Sequence, residues 1–257
     1  MRCVKSVLCF VSVLLAAPTV RADNTACAGA IFVIPDGSVH EGDFVAPGEN
    51  RWFRFVGKAN RSYAIVSENL TATDVQLAVT MFSPIGPNCA GSPLANTLSN
   101  DAEPATTDPP NVVGSVRRTF VLGANTEVFF RLGGAPAGRF RVRLEETTIF
   151  SPAFSTNGSF DTFYSFQNTA NASVNGTLTL FDAAGSTVDT ASAVIAAGGT
   201  FSTNTLAMAT LRNQTGVAVF THNSPPGAIV CEAAIANFSA APAYIQNVKC
   251  QTARQQR

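Results

Sequence analysis

The sequence predicts an all-β protein: two tandem antiparallel β-sandwich domains behind a cleaved signal peptide. Three observations carry this. Short Val-, Phe-, Thr- and Leu-rich runs broken by Gly, Pro and Asn recur along the chain, as strands and turns require. Lys occurs three times in 257 residues and no long stretch repeats its apolar residues at helical spacing. Phe140, Val142 and Leu144 alternate with Arg139, Arg141 and Arg143, the clearest period-two pattern in the chain and the mark of a strand with one wet face.

Residues 1–22 open with Arg2 and Lys5, continue through an apolar stretch over 6–17 and end on Val20-Arg21-Ala22. That is the layout of a secretory signal peptide, too short to span a membrane. Its removal leaves 235 residues with 14 basic and 17 acidic side chains. A chain of that length suits two domains. The small acidic excess excludes the basic surface a nucleic-acid protein needs. No second apolar run reaches 18 residues, so no transmembrane segment is expected in the mature chain. The remaining cysteines, Cys27, Cys89, Cys231 and Cys250, are even in number and read as disulfides in an oxidising compartment. Pairing 27 with 89 and 231 with 250 keeps each bridge within one domain. No CxxC and no cysteine with a nearby histidine argues for zinc.

The first domain is expected over 23–149. It opens with Gly37-Ser38-Val39 leading to Gly42-Asp43-Phe44 and a turn at Pro47-Gly48-Glu49-Asn50, and its strands are predicted at 51–56, 62–67, 75–82, 118–122, 127–132 and 138–144. Residues 83–115 hold six prolines and no Lys or Arg, and read as a long surface loop. The carriers Gly37-Ser38-Val39, Gly42-Asp43, Trp52-Phe53-Arg54-Phe55, Ser62-Tyr63-Ala64-Ile65, Asp74-Val75-Gln76-Leu77 and 138–144 resemble the bacterial pre-peptidase C-terminal domain family. Those domains are small β-sandwiches appended to secreted proteases. The resemblance spans 38–146 and implies a sandwich fold. Calcium sites occur in some relatives, and Glu49 and Asn50 stand where the family usually has acidic residues before Trp52-Phe53. No cofactor is expected beyond that one calcium option.

Residues 150–158 read as a linker of Ser, Pro, Thr, Asn and Gly without periodicity. The second domain, 159–257, is expected to place strands at 162–167, 176–181, 187–195, 217–221, 228–235 and 244–250. Short strands at this spacing suggest an immunoglobulin-like sandwich. The stretches 220–229 and 232–238 are similar to a domain of uncharacterised secreted bacterial proteins, which implies no activity. Cys231 and Cys250 each fall on a strand face that can point inward.

Catalytic chemistry is not legible. His222 lies two residues from Ser224 in a Pro-Pro-Gly turn, without a Gly-x-Ser-x-Gly elbow, and reads as a packed turn histidine. His40 beside Glu41 and Asp43 lacks metal-ligand spacing. The second half holds Asp161, Asp182, Asp189 and Glu232, with Glu232 opposite Cys231 in facing and so directed at solvent. Ligand-facing candidates are the stripe Arg139, Arg141 and Arg143, joined by Arg117, Arg118 and Arg131 into a basic face or else balanced by acids such as Glu145 and Glu146. Trp52 and Tyr63 are the aromatic candidates. A cluster of exposed Trp52, Tyr63 and Tyr164 would favour sugar. The expected function is a non-catalytic secreted binding, adhesion or surface-associated protein with an extracellular protein or polysaccharide as partner. The alternative is an accessory carbohydrate- or protein-binding module that assists a secreted hydrolase.

Overall fold

Alternating side chains build two stacked pairs of sheets. The computed structural model describes residues 24–71, 76–82, 98–101, 115–135 and 137–253. Residues 1–22, Cys89 and most of 83–114 lie outside the described residues. Within the first half run β1 (Ile31–Phe32), β2 (Asp36–Phe44), β3 (Asn50–Gly57), β4 (Arg61–Asn69), β5 (Gln76–Phe82), β6 (Leu98–Asp101), β7 (Ser115–Leu122), β8 (Thr126–Ala135) and β9 (Gly138–Glu146). They form a four-stranded sheet, β1-β3-β8-β5, and a five-stranded sheet, β2-β9-β4-β7-β6. All neighbours pair antiparallel except β1 with β3. The edge strand β6 lies inside the stretch expected as one long loop.

Every second residue of β3, β8 and β9 enters one core. Phe53, Phe55, Phe130, Leu132, Phe140 and Leu144 are almost fully buried, and Phe53 stacks on Phe130 at 5.1 Å. Each such side chain contributes on the order of 2–3 kcal/mol by leaving water.

In the second half come β10 (Ile149–Ser155), β11 (Asp161–Asn168), β12 (Val174–Asp182), β13 (Thr187–Ile195), β14 (Thr200–Asn204), β15 (Thr215–His222), β16 (Ile229–Asn237), β17 (Tyr244–Val248) and β18 (Gln251–Thr252). The five-stranded sheet is β13-β12-β15-β10-β18 and the four-stranded sheet is β14-β11-β16-β17, antiparallel throughout. Their shared core centres on Phe166 and Phe220, stacked at 4.0 Å. Gly176 faces Phe220 across the β12–β15 pair, and a Cβ there would collide with the ring. The Cys231–Cys250 bridge forms as expected and joins β16 to the segment after β17. Cys27 is also disulfide-bonded, while its expected partner, Cys89, lies outside the described residues.

The expected linker over 150–158 requires correction. Residues 149–155 form β10, an interior strand between β15 and β18, with Ile149, Phe150 and Phe154 buried. Pro152 sits where the β10–β15 register skips between Ser151 and Phe154, a position that needs no ladder donor. The chain therefore passes from β9 to β10 through Thr147 and Thr148 alone. Both are buried and clamp Ser62: the Thr147 amide donates to the Ser62 carbonyl at 2.8 Å, and the Ser62 amide donates to Thr148 Oγ1 at 2.9 Å. Across the junction, Arg61 lies over the Phe150 ring at 4.0 Å, and Thr119 Oγ1 donates to the Asn223 carbonyl at 2.9 Å.

Candidate functional site

The residues singled out from sequence do not converge. Tyr63 is core, not ligand-facing. It is 1% exposed, stacks on Phe120 at 5.6 Å and accepts the Lys58 amide at 2.9 Å. Burial pushes its phenol up to about 12. Tyr164 is buried as well, with its ring parallel to Phe166. Trp52 lies on the outside of the four-stranded sheet of the first sandwich, under Arg131 at 5.9 Å. Trp52, Tyr63 and Tyr164 therefore do not assemble the exposed aromatic cluster that would favour sugar.

The arginine stripe lies on the opposite side, outside the five-stranded sheet, and it is neutralised there. Register places Glu41 of β2 and Glu68 of β4 on either side of Arg141. Arg141 reaches Glu41 at 2.9 Å and Glu68 at 3.4 Å, Arg139 reaches Glu41 and Asp43, and Arg143 lies 3.8 Å from Glu68 and 3.9 Å from Glu145. The carboxylate of Glu41 holds the Arg141 guanidinium above its ordinary range. Arg117 and Arg118 point to opposite faces of β7. Arg117 shares the row of Val66 and Arg143, whereas Arg118 pairs opposite core Ile65 and is pushed down by burial. With Arg131 on the other sheet, no joint basic face forms from these six.

The histidines are structural too. His40 stands opposite in facing to Glu41 and Asp43 along β2 and approaches the Phe53 ring. No three metal-binding side chains gather among the described residues. Glu49 caps its own turn, accepting the Val45 and Ala46 amides and Arg51, which draws its carboxyl below the usual range. His222 and Ser224 do meet, with Ser224 Oγ 2.7 Å from His222 Nδ1. Both are 2% exposed. The ring also hydrogen-bonds the Thr147 backbone, where a nucleophilic triad would place a carboxylate. Burial pushes the imidazole down to about 4. This pair fastens the junction of the two sandwiches.

One face is built differently. Outside the four-stranded sheet of the second sandwich, β14, β11, β16 and β17 align the row Asn204–Phe163–Ala234–Asn247. Beside it runs the row Ser202–Ser165–Glu232. Together they line a groove of about 450 Å³. Phe163 is half-buried, and the ring of Phe238, 63% exposed, packs against it in a T-shaped pair with centroids 5.6 Å apart. Ala234 leaves the floor low between Phe163 and Asn247. Asn204 Oδ1 accepts the Ala207 amide at 2.8 Å. The side chains of Ser165, Ser202, Glu232 and Asn247 take no hydrogen bond or ion pair among the described residues. A groove with an aromatic floor, one carboxylate and vacant hydroxyl and amide groups can hold a ligand by ring contact and hydrogen bonds.

Sequence reasoning found Glu232 and its solvent facing but missed Phe163. Three aromatics in four residues, Phe163, Tyr164 and Phe166, hide which parity is core. The hydrophilic companions Ser165 and Gln167, which share the parity of Phe163, were the available signal.

No family model matches the chain and no curated protein is similar to it. Among solved structures, it is similar to CorA, a surface-associated copper-binding protein of Methylomicrobium album BG8, at 12% identity and a TM-score of 0.33, over 46% of this chain and 97% of that one. It is also similar to the tandem CBM22-1–CBM22-2 region of Paenibacillus barcinonensis Xyn10C at 9% identity and a TM-score of 0.28, over 84% and 91%. Likeness at this level carries no argument about function. No described helix is long and apolar enough to cross a membrane.

Proposed function

We propose that the chain is an exported binding protein that performs no chemistry on its ligand and holds it on the outer face of β14-β11-β16-β17. The observation that carries this reading is a contrast between two faces. On the arginine stripe Arg139 and Arg141 are held by Glu41 and Glu68, and Arg143 stands within ion-pair reach of Glu68 with its Nε buried and not hydrogen-bonded, whereas four polar side chains around Phe163 have neither a hydrogen bond nor an ion pair among the described residues. Unused hydrogen-bonding capacity beside an aromatic ring is what a preformed ligand site presents before it is filled. The Cys231–Cys250 bridge supports export, because disulfides persist in oxidising compartments.

The experiment compares fluorescently labelled wild-type protein with Phe163→Arg on washed cells and cell-envelope fragments of the producing organism. The wild type is expected to sediment with the envelope and to release no soluble product from it. The variant is expected to stay in solution with an unchanged melting temperature. Equal sedimentation of both proteins would move the ligand away from this face.

A further inference from the structure

We infer that the groove takes a neutral polysaccharide lying across the strands, with one sugar ring seated on Phe163. This rests on the reading of that sheet as the ligand face and narrows the chemistry of the ligand. The row Asn204–Phe163–Ala234–Asn247 crosses four neighbouring strands, so its ends lie about 14 Å apart at ordinary strand spacing. That reach matches a short run of linked sugar rings.

Each part of the groove answers a part of a sugar. A pyranose presents a flat patch of C–H groups, and the Phe163 ring offers an apolar surface of similar size that such a patch covers at a gain. Phe238 packs on that ring in a T-shaped pair. Ala234 makes room for the next ring in the chain. The hydroxyls of a sugar need both donors and acceptors. The Asn247 amide and the hydroxyls of Ser165 and Ser202 supply both, and Glu232 accepts. An apolar ligand would bury these groups without partners and lose their hydration, which disfavours it.

Charge and size exclude the nearest competitors. Among the described residues Glu232 is the only charged one lining the groove, so a uronate or sulfated chain meets repulsion and a neutral one does not. A protein partner would need roughly 800 Å² of surface with an apolar centre. Among the described residues the groove lining itself turns one large apolar side chain outward, Phe163, with Val230 and Ile245 exposed on the same sheet face beyond it, and its volume of about 450 Å³ lies within the usual range for small ligands.

Affinity electrophoresis of the whole mature protein tests this, in gels containing a soluble β-glucan, a xylan, a mannan or polygalacturonate. Retardation is expected in at least one neutral gel and none in polygalacturonate. Phe163→Ala, and Ala234→Trp as a variant that fills the floor, should each weaken retardation by about tenfold or more, equivalent to roughly 1.4 kcal/mol, with unchanged melting temperatures. No retardation in any neutral gel, or stronger retardation in polygalacturonate, overturns the assignment. If envelope retention nevertheless depends on Phe163, the face remains the ligand site and the ligand is of another class, such as a protein. Retardation indifferent to both variants overturns the site itself.

Discussion

His222 shows a turn histidine put to structural use. Two residues from a serine in a Pro-Pro-Gly turn it reads as a packed histidine, and the imidazole is buried, held between Ser224 and the Thr147 backbone. Burial lowers its pKa from 6.5 to about 4. Above pH 6.5 the ring is neutral folded and unfolded, and its contribution to stability is complete. As pH falls from 6.5 to about 4, the unfolded chain binds a proton that the folded chain refuses. That contribution is then lost, reaching roughly 3 kcal/mol at the lower end. Denaturation curves of wild type and His222→Gln should therefore converge as pH falls through this window. Parallel curves would show that the ring is not held neutral. The same scale explains what was unreadable in the arginine stripe. Alternation with Phe140, Val142 and Leu144 marks Arg139, Arg141 and Arg143 as outward, which they are. Their partners Glu41, Asp43 and Glu68 come from strands 70 or more residues away in sequence, and only the register of the sheet brings them together.

At the scale of elements, strand positions were legible wherever one face is apolar and the other polar, as in β3 and β9. β10 was not, because Pro152 and a run of small polar residues imitate a linker, while Ile149 and Phe154 enter the core of the second sandwich and Phe150 packs on the other side with Phe181 and Val219. β11 was found as a strand but not as a ligand strand, since its aromatics occupy both parities. The hairpin of β16 and β17, which contributes Ala234 and Asn247 to the groove, is tied by Cys231–Cys250 across 19 residues. Closing a loop of that length is worth roughly 3 kcal/mol in the chain-entropy account. Replacing both cysteines with serine should lower stability by about that amount in chemical denaturation. A change below about 0.5 kcal/mol would mean the packing of β17 holds the hairpin without the bridge.

Across the whole molecule, the two cores are separate, but only two residues connect them and both are hydrogen-bonded into the first sandwich. A fragment starting at residue 148 keeps β10 in place between β15 and β18. It should give a β-type circular dichroism spectrum and melt cooperatively. A fragment starting at 158 lacks an interior strand and should not. Cooperative melting of the shorter fragment would restore 150–158 as a linker.

On the proposed reading the ligand lies over Phe163 and not over the arginines. Backbone amide chemical shifts of the labelled whole protein distinguish the two faces when followed while neutral oligosaccharides from whichever polysaccharide retards it are added. Shifts concentrated at Phe163, Ser165, Asn204, Glu232, Ala234 and Asn247 are expected, with β9 unmoved. Shifts centred on Arg139, Arg141 and Arg143, with those groove residues silent, would contradict it.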